Sequence, residues 1–293
     1  DISVFTFNGQ WEKDIKSVCK ELDKYRFKKD FKRRIYKSIV GEFPIYISDP
    51  KVDGISRRID YNGTFEPRIF QTIYDFVNHD SDINVIDIGA NVGAISLQVA
   101  KWGRHVLSIE ASDMNVRRYC AGAKDANIGK YTTLVHNAIS DNHEPVRFIL
   151  GRRGESGGNF IDESDIRKAK KRIDGNIYDY KHSVELKTVM LDDVLSLPNA
   201  CLFQKVFIKV DVEGAEHKVF QGARKFFEKN DVIGVLMEWS WHRLRNGTKD
   251  IIINFMKEFK FDSFAYNERN LTSVDAQYTD EHDLLWLPRK RKD

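Results

Sequence analysis

From residue 66 onward, short apolar stretches typical of buried strands alternate with amphipathic stretches typical of helices. This alternation constrains the fold strongly, because strands that alternate with helices form βαβ units. The predicted strands cover residues 84–87, 105–110, 132–137, 206–210, 233–239, 261–266 and 284–287. The predicted helices cover residues 66–78, 92–102, 113–127, 215–228 and 248–259. The pattern therefore predicts an α/β fold with a mostly parallel sheet and helices on both of its faces.

The composition is that of a folded chain. Of the 293 residues, 41% are hydrophobic, and 47 Lys and Arg nearly balance 44 Asp and Glu. Intrinsic disorder requires low hydrophobicity or a large net charge, so it is excluded as the overall state. A membrane-spanning helix needs roughly 18 consecutive apolar residues, and no run approaches that length, so no membrane span is expected.

The three cysteines, Cys19, Cys120 and Cys201, lie far apart in the sequence and form no CxxC motif. This spacing excludes a zinc ribbon or a thioredoxin-type motif, and it does not suggest a disulfide framework. We therefore expect free thiols, which are typical of a reducing compartment such as the cytoplasm.

The N-terminal part of the chain is unusually basic. Residues 11–40 contain 11 Lys and Arg against 5 Asp and Glu, a local charge of +6 (11 − 5). Apolar residues recur at helical spacing over 11–22 and again over 27–39, and this pattern predicts two helices with basic polar faces.

Two short strands are predicted to follow these helices, at residues 43–47 and 57–61. We therefore expect two parts in the chain. Residues 1–60 are predicted to be a basic, mainly helical extension, and residues 61–293 are predicted to be the α/β domain.

A long excursion interrupts the alternation between residues 143 and 200. Two extra strands are predicted there, at 146–150 and 184–189. Between them lie a glycine-rich stretch, 151–158, and a basic, helix-like run, 167–172. Long connections in compact domains are usually functional, so this one is either a mobile lid or a plain linker.

The segment from Asp87 to Gly93 combines a strand, a tight glycine turn and the start of a helix. Glycines let the backbone approach a ligand closely, and a helix N-terminus offers N–H groups. The glycines are Gly89 and Gly93, so the spacing is neither the G-x-G-x-x-G of dinucleotide enzymes nor a P-loop.

Glu110 ends the next predicted strand, 23 residues after Asp87. An acidic residue at about this distance accepts hydrogen bonds from ribose hydroxyls. The Asp87 carboxylate near the glycine turn would repel a pyrophosphate but would attract an amine. S-adenosylmethionine carries a sulfonium, an amine and a ribose but no phosphate, so the two carboxylates favour it over NAD.

Five segments in this order make the chain resemble the FkbM family of S-adenosylmethionine-dependent O-methyltransferases. The resemblance covers roughly residues 60–288, and its most distinctive part is the block that ends in Glu213-Gly214-Ala215-Glu216. One departure is Ala111, where the family commonly has proline after the acidic residue. The five segments are Asp87–Gly93, Glu110, Asn137–Asp141, Leu191–Val194 and Ile208–Glu216.

The resemblance implies a class I methyltransferase fold, which is a Rossmann-like, seven-stranded, mostly parallel sheet with an antiparallel hairpin strand near the C-terminus. The basic N-terminal extension lies outside it. It also implies S-adenosylmethionine as the cofactor. By carry-over, the cofactor-binding residues are Glu66, Asp87, Gly89, Ala90, Asn91, Gly93, Glu110, Ala111, Ser112, Asn137, Ala138 and Asp211.

Methyl transfer to a hydroxyl is aided by a general base or a metal. Ligands of open α/β sheets bind at the carboxyl ends of the strands, where Lys209, Asp211, Glu238 and His242 are the catalytic candidates. Each has a structural alternative. Lys209 could pair with a carboxylate, Asp211 could cap the following helix, and His242 could be an ordinary histidine. The histidines form no metal-binding pattern, so no metal is expected.

The leading hypothesis is an enzyme that methylates a saccharide hydroxyl, and the family alone suggests a 6-deoxyhexose such as rhamnose or fucose. Such a module would work beside a neighbouring catalytic domain of a larger glycan-building enzyme. An RNA 2′-O-methyltransferase is the second hypothesis, because residues 24–37 hold eight Lys and Arg against one acidic residue. A net charge of only +3 speaks against nucleic acid as a partner. A non-catalytic module that retains the fold is the third.

Overall fold

The alternating pattern folds into a central sheet of ten strands in the computed structural model. The structure describes residues 1–13, 19, 22, 30–149, 160–162, 172–173, 176–177, 183–240, 246–267 and 270–289. Its strands are β1 (Ser3–Phe7), β2 (Trp11–Lys13), β3 (Lys32–Tyr36), β4 (Phe43–Ile47), β5 (Asn84–Ile88), β6 (Val106–Ile109), β7 (Thr132–Val135), β8 (Ala138–Ile139), β9 (Val146–Ile149), β10 (Phe160–Asp162), β11 (Arg172–Ile173), β12 (Asn176–Ile177), β13 (Ser183–Leu186), β14 (Thr188–Val189), β15 (Lys205–Val210), β16 (Asp231–Glu238), β17 (Phe261–Asn267), β18 (Asn270–Ser273) and β19 (Asp283–Pro288). Its α-helices are α1 (Gly54–Asn62), α2 (Pro67–Val77), α3 (Ser96–Trp102), α4 (Asp113–Asp125), α5 (Glu216–Gln221), α6 (Arg224–Lys229) and α7 (Asn246–Glu258).

The central sheet is mostly parallel, as predicted. Its strand order is β18-β17-β19-β16-β15-β5-β6-β7-β1-β2. The six strands from β16 to β1 are mutually parallel. Strand β19 runs antiparallel between β16 and β17, which confirms the expected C-terminal hairpin. The seven-strand count is not confirmed, because β18 extends one edge of the sheet and β1 and β2 extend the other.

Two apolar clusters hold the helices on opposite faces of this sheet. One face packs α2, α3 and α4 through residues such as Ile73, Leu97 and Tyr119. The other face packs α5, α6 and α7 through residues such as Phe220 and Ile252. Both faces are buried because side chains of a strand alternate between them, as expected for a parallel sheet.

The predicted N-terminal helices are wrong in the described residues. Strand β2 occupies the start of the first one, and β3 occupies the middle of the second. Strand β3 pairs with β4, the strand predicted at 43–47, and the connection includes Gly41 at a φ of 101°. Apolar residues four positions apart lie on one side of a helix and also on one face of a strand, so their spacing does not distinguish the two. The strand forms because the hairpin buries Tyr36 and Ile45.

Residues 57–61, predicted as a strand, lie instead in α1. Asp53 caps this helix by accepting a 2.7 Å hydrogen bond from the Ser56 N–H, and Gly63 ends it in the left-handed conformation. The division of the chain at residue 60 stays a prediction, and β1 and β2 connect the first residues to the central sheet.

The excursion of residues 143–200 contributes small sheets beside the central one. Strand β9 pairs with β10 and β13, and β8 pairs with β14. The predicted strand at 184–189 is therefore two strands with different partners. The glycine-rich stretch 151–158 and residues 167–171 lie outside the described residues.

Cys19 and Cys120 form a disulfide, so the expectation of free thiols is wrong for this pair. They are 101 residues apart in sequence, but folding brings their Cα atoms to 5.3 Å, within the usual range for a disulfide. Cys201 is free and exposed. No helix in the described part of the chain combines the length and the apolar character that crossing a bilayer demands.

Candidate functional site

The predicted glycine turn joins β5 to α3 and packs tightly on its neighbours. Gly89 has a φ of 81°, and a Cβ there would lie 1.8 Å from the backbone oxygen of Asp211. Gly93 has a φ of 86°, and a Cβ there would lie 2.6 Å from the Tyr119 ring. Asn91, between them, also has a positive φ, 52°. Only residues that tolerate the left-handed region can build this turn.

The N–H groups of this turn are all used inside the protein. Those of Gly89 and Ala90 donate to the Ile109 carbonyl, at 2.9 and 3.1 Å. The Asn91 N–H donates to Glu110, and the Gly93 N–H donates to the Ala90 carbonyl. The Val92 N–H donates to the Asn91 side chain. The backbone N–H groups of residues 89 to 93, which the sequence predicts to bind a ligand, are therefore already hydrogen-bonded within the protein. This turn has no N–H groups left to bind a phosphate, which suits a cofactor without phosphate.

Glu110 lies at the end of β6 and fixes the turn from the side. One carboxylate oxygen accepts a 2.8 Å hydrogen bond from the Asn91 N–H. The other oxygen accepts one hydrogen bond from the Ser112 N–H, at 2.8 Å, and one from the Asn115 side-chain amide, at 3.4 Å. Burial raises the pKa of Glu110, and these hydrogen bonds and Lys209 partly oppose the rise. These three hydrogen bonds use three of the roughly four lone-pair sites of the carboxylate, so one remains for a ribose hydroxyl.

Asp87 lies beneath the glycine turn with no exposure to solvent. One of its oxygens accepts a hydrogen bond from the Ser96 hydroxyl. The Ser96 hydroxyl accepts a hydrogen bond from the Ser108 hydroxyl, which is also hydrogen-bonded to the Tyr119 hydroxyl. The other Asp87 oxygen lies 3.5 Å from the Lys209 ammonium. The carboxylate therefore supports the turn from below.

Lys209 connects Asp87 to the surface of the site. Its ammonium lies 3.2 Å from the Gly89 carbonyl, to which it donates, and 3.2 Å from the Asp211 carboxylate. Burial lowers the pKa of Lys209, but Asp211, Asp87 and Glu66 raise it by more, so the net pKa is raised and the side chain stays charged. Of the two alternatives for this residue, the ion pair with carboxylates is present.

Four further carboxylates lie around Asp211 and Lys209, and we call this group the acidic edge: Glu66, Glu213, Glu238 and Asp283. Burial is the main cause of a raised pKa at each of them, and Asp211 adds repulsion at each. The pKa is about 7 for Glu66 and for Glu238, and about 9 for Glu213. Near neutral pH the acidic edge therefore holds protons that ordinary carboxylates would have released.

His282 lies beside this edge, and the sequence patterns revealed neither it nor Asp283. Asp283 pairs with Glu238 in the antiparallel register of β19 and β16. The His282 ring lies 3.2 Å from Asp283 and 3.6 Å from Glu238. Burial lowers the pKa of His282, but Asp283, Glu238 and Glu66 raise it by more. The start of an antiparallel strand lies at the carboxyl end of its parallel neighbour, and that is the signal that could have found this pair.

The segment after β15 forms a tight turn between Asp211 and α5. Glu216 is buried and accepts hydrogen bonds from the N–H groups of Val212, at 2.9 Å, and Gly214, at 3.2 Å. It therefore holds the turn. Glu213 has a φ of 55°, and the acidic edge includes its side chain. Asp211 makes no cap for α5, whose N-cap residue is Ala215.

The remaining predicted cofactor residues lie near the same strand ends. The Asn137 amide exchanges hydrogen bonds with the backbone of Phe7, at 2.8 and 3.1 Å, so its side chain ties β1 to the sheet. Ala138 is buried in β8, and Ser112 is the N-cap of α4. Ala90 is buried and Ala111 is half-buried. Contact of these five residues with the cofactor remains a prediction.

His242, the fourth catalytic candidate, lies outside the described residues. Within the described ranges, no group of three or more His, Cys, Asp and Glu side chains is arranged to hold a metal ion. The structure thus brings together Lys209, Asp211 and Glu238 at the carboxyl ends of β15 and β16, next to the glycine turn.

The donors and acceptors of the site fit a cofactor with a ribose, a positive charge and no phosphate. The protein family described as Methyltransferase FkbM domain matches residues 87–263, which is more than half of the chain. No curated protein matches the chain significantly.

Several solved structures are similar to the chain. One is an S-adenosylmethionine-dependent O-methyltransferase from Thermotoga maritima, with 11% identity, a TM-score of 0.38, and coverage of 89% of this chain and 79% of that chain. Another is an O-methyltransferase from Bacillus cereus in complex with S-adenosylhomocysteine, with 11% identity, a TM-score of 0.39, and coverage of 77% and 82%. A third is an RNA methyltransferase from Salinibacter ruber, also with S-adenosylhomocysteine, with 13% identity, a TM-score of 0.32, and coverage of 78% and 97%.

Proposed function

We propose that this chain, which belongs to the FkbM methyltransferase family, transfers the methyl group of S-adenosylmethionine to a hydroxyl group of a saccharide. Membership of this family supports the S-adenosylmethionine-dependent methyltransferase activity. The acidic edge around Lys209 is the single observation that supports an uncharged, hydroxyl-bearing acceptor.

Cofactor binding is assigned to the glycine turn and the carboxylates around it. Glu110 would accept a hydrogen bond from a ribose hydroxyl, because it is the acceptor at the end of β6. Glu66 and Asp211 would face the positively charged methionine end. Bound S-adenosylmethionine supplies an electrophilic methyl group on a sulfonium, so alignment of the acceptor contributes most of the catalysis.

Glu238 is the general base in this proposal. Its pKa of about 7, raised mainly by burial and by Asp211, lies near neutral pH, where a base is most effective. The Ser240 hydroxyl donates to one of its oxygens at 2.5 Å and orients the carboxylate. His282, 3.6 Å from the same carboxylate, is placed to pass the abstracted proton to solvent, since its ring is well exposed. Lys209 would hold Asp211 in position.

The charge of the site favours a neutral sugar over RNA. A phosphate that approaches Glu238 would meet the Asp211 carboxylate and, as Glu238 and Glu66 ionise near pH 7, further negative charge, and like charges repel at this range. A 6-deoxyhexose such as rhamnose or fucose is the narrower proposal, and it rests on the family.

The three basic residues of β3, which belong to the described part of the basic N-terminal run, give little support to the RNA hypothesis. Lys32 pairs with Asp49 at 3.3 Å, and Arg33 pairs with Asp125 at 2.6 Å. Arg34 pairs with Asp60. These cations are partly neutralised by their partners, so they are poorly placed to bind phosphates.

The test is an incubation with methyl-labelled S-adenosylmethionine and three acceptor panels: neutral oligosaccharides, RNA and small alcohols. We expect label in the neutral oligosaccharides and none in RNA. In parallel, RNA binding is measured at low salt, where phosphate contacts are strongest. Labelled RNA, together with RNA binding that weakens steeply with salt, would replace this proposal by the RNA hypothesis.

A further inference from the structure

Two features of the molecule play no part in the methyltransferase site. The first is the disulfide between Cys19 and Cys120. Cys120 is completely buried, which is typical of a structural disulfide rather than of an exposed, redox-active one. Stable structural disulfides form in oxidising compartments such as the lumen of the secretory pathway.

The second feature is a repeated Asn-x-Thr pattern, which occurs as Asn62-Gly63-Thr64, Asn246-Gly247-Thr248 and Asn270-Leu271-Thr272. An asparagine in this pattern is the acceptor of N-linked glycans if it lies on the surface. Buried asparagines would exclude such a role. The side chains of Asn62 and Asn270 are both exposed.

Both asparagines lie where a glycan meets no packing constraint. Asn62 is the last residue of α1, and the chain turns away at Gly63, which has a φ of 74°. Asn270 is the first residue of β18, which forms one edge of the central sheet, and all four residues of this strand are exposed. An exposed edge strand can pair with another chain, and a bulky hydrophilic glycan would prevent that.

We propose that Asn62 and Asn270 are N-glycosylated and that the chain folds in an oxidising secretory compartment. In this modification the amide nitrogen of the asparagine forms a bond to C1 of a lipid-linked oligosaccharide. The bond from C1 to the lipid pyrophosphate breaks, the pyrophosphate leaves with the electron pair, and the amide proton passes to a base of the transferring enzyme. This inference is independent of the acceptor that the methyltransferase uses.

The test starts from protein isolated from its natural source. Digestion with a peptide N-glycosidase in heavy-oxygen water converts each glycosylated asparagine into labelled aspartate, which peptide mass spectrometry locates. We expect label at Asn62 and Asn270 and no label at Asn78, an exposed asparagine that ends α2 outside any such pattern. An unmodified amide at Asn62 or at Asn270 overturns the assignment of that site.

Variants produced in the same cells separate glycosylation from other changes of mass. Asn270→Gln and Thr272→Ala are both expected to lose the mass of one glycan, whereas Thr272→Ser and the control Asn78→Gln keep it. Thr272→Ala leaves the asparagine in place, so an unchanged mass in that variant contradicts the proposal.

Thiol alkylation tests the compartment. In protein unfolded by a denaturant without a reductant, we expect the alkylating reagent to modify Cys201, which is free, and to leave Cys19 and Cys120 unmodified because they form the disulfide. Alkylation of all three cysteines without a reductant would contradict folding in an oxidising compartment.

Discussion

The ammonium of Lys209 lies 3.5 Å from the carboxylate of Asp87, which has no exposure to solvent. The two residues are direct neighbours in the register of β15 and β5. Because Lys209 also donates to the Gly89 carbonyl, the pair fixes the glycine turn above it. A central part of the candidate site is therefore held by one ion pair between the two middle strands of the sheet.

Lys209→Met is predicted to destabilise the protein, because it leaves Asp87 buried without its counter-charge. Removal of one partner of a buried ion pair costs about 3–5 kcal/mol. Combining Lys209→Met with Asp87→Asn should restore much of the loss, since the double variant buries no unpaired charge. Urea unfolding measures both effects.

Lys205 offers the matched control on the same strand. Its ammonium lies 2.7 Å from Asp80, but both side chains are more than a third exposed. Lys205→Met should leave the unfolding midpoint close to that of the wild type. Equal midpoints for Lys205→Met and Lys209→Met would contradict the supporting role of the buried pair.

Gly89→Ala should be strongly destabilising, because a Cβ there would lie 1.8 Å from the Asp211 oxygen and the residue has a positive φ. Gly9→Ala is the control, since Gly9 has a similar φ of 79° and nothing within 4 Å of its Cβ position. We expect a loss of about 1–2 kcal/mol for Gly9→Ala from the backbone conformation alone. Gly89→Ala should lose at least 2 kcal/mol more, by rough analogy with overpacking of a core. Similar losses would show that the turn does not pack on Asp211.

Glu110→Ala is predicted to weaken S-adenosylhomocysteine binding more than tenfold, because a charge-assisted hydrogen bond to the ribose is lost together with the hydrogen bond that fixes the turn at Asn91. Asp113→Asn removes a nearby, exposed carboxylate at the start of α4, and its affinity should stay within about twofold of the wild type, since exposed charges contribute little. Isothermal titration calorimetry gives both dissociation constants. Unchanged binding by Glu110→Ala would mean that the ribose lies elsewhere.

Glu238 should give methyl transfer a pH-dependent rate. A base works when deprotonated, so kcat/KM should rise with pH up to its pKa of about 7 and level off above it. Glu238→Gln should abolish this rise and lower the plateau by roughly 10²-fold or more. Glu66, whose pKa is also about 7, provides the comparison, and Glu66→Gln should keep the rise. A pH profile that Glu238→Gln leaves unchanged would exclude it as the base.

The stability of Glu238→Gln provides an independent check of the same pKa. A carboxyl group whose pKa is raised from 4.5 to about 7 in the folded state costs folding free energy when it ionises. Wild-type stability should therefore fall between pH 4.5 and 7 relative to Glu238→Gln. Thermal unfolding across this range measures the difference.

The sequence predicted the parts of the site that are local in the chain. The turn between Asp87 and Gly93 follows from glycines after a buried strand, and Glu110 follows from its place at the end of the next strand. The same reasoning placed Lys209 and Asp211 on one strand end. Each of these inferences needs only the order of neighbouring elements.

The sequence did not predict features that depend on distant pairing. Residues 32–36 form a strand rather than a helix because pairing with β4 buries Tyr36. The spacing of apolar residues does not reveal that partner strand. His282 and Asp283 join the site only through the antiparallel register with β16. The disulfide likewise requires the fold to bring Cys19 to α4.

The identity of the methylated atom tests the central claim most directly. After incubation with labelled S-adenosylmethionine and a panel of neutral oligosaccharides, the product is purified, and mass spectrometry and NMR locate the label. The account predicts a new methyl ether on a sugar-ring oxygen, whose formation needs Glu238. Label on a nitrogen or carbon atom, no label in any oligosaccharide, or transfer that proceeds equally well with Glu238→Gln would contradict it.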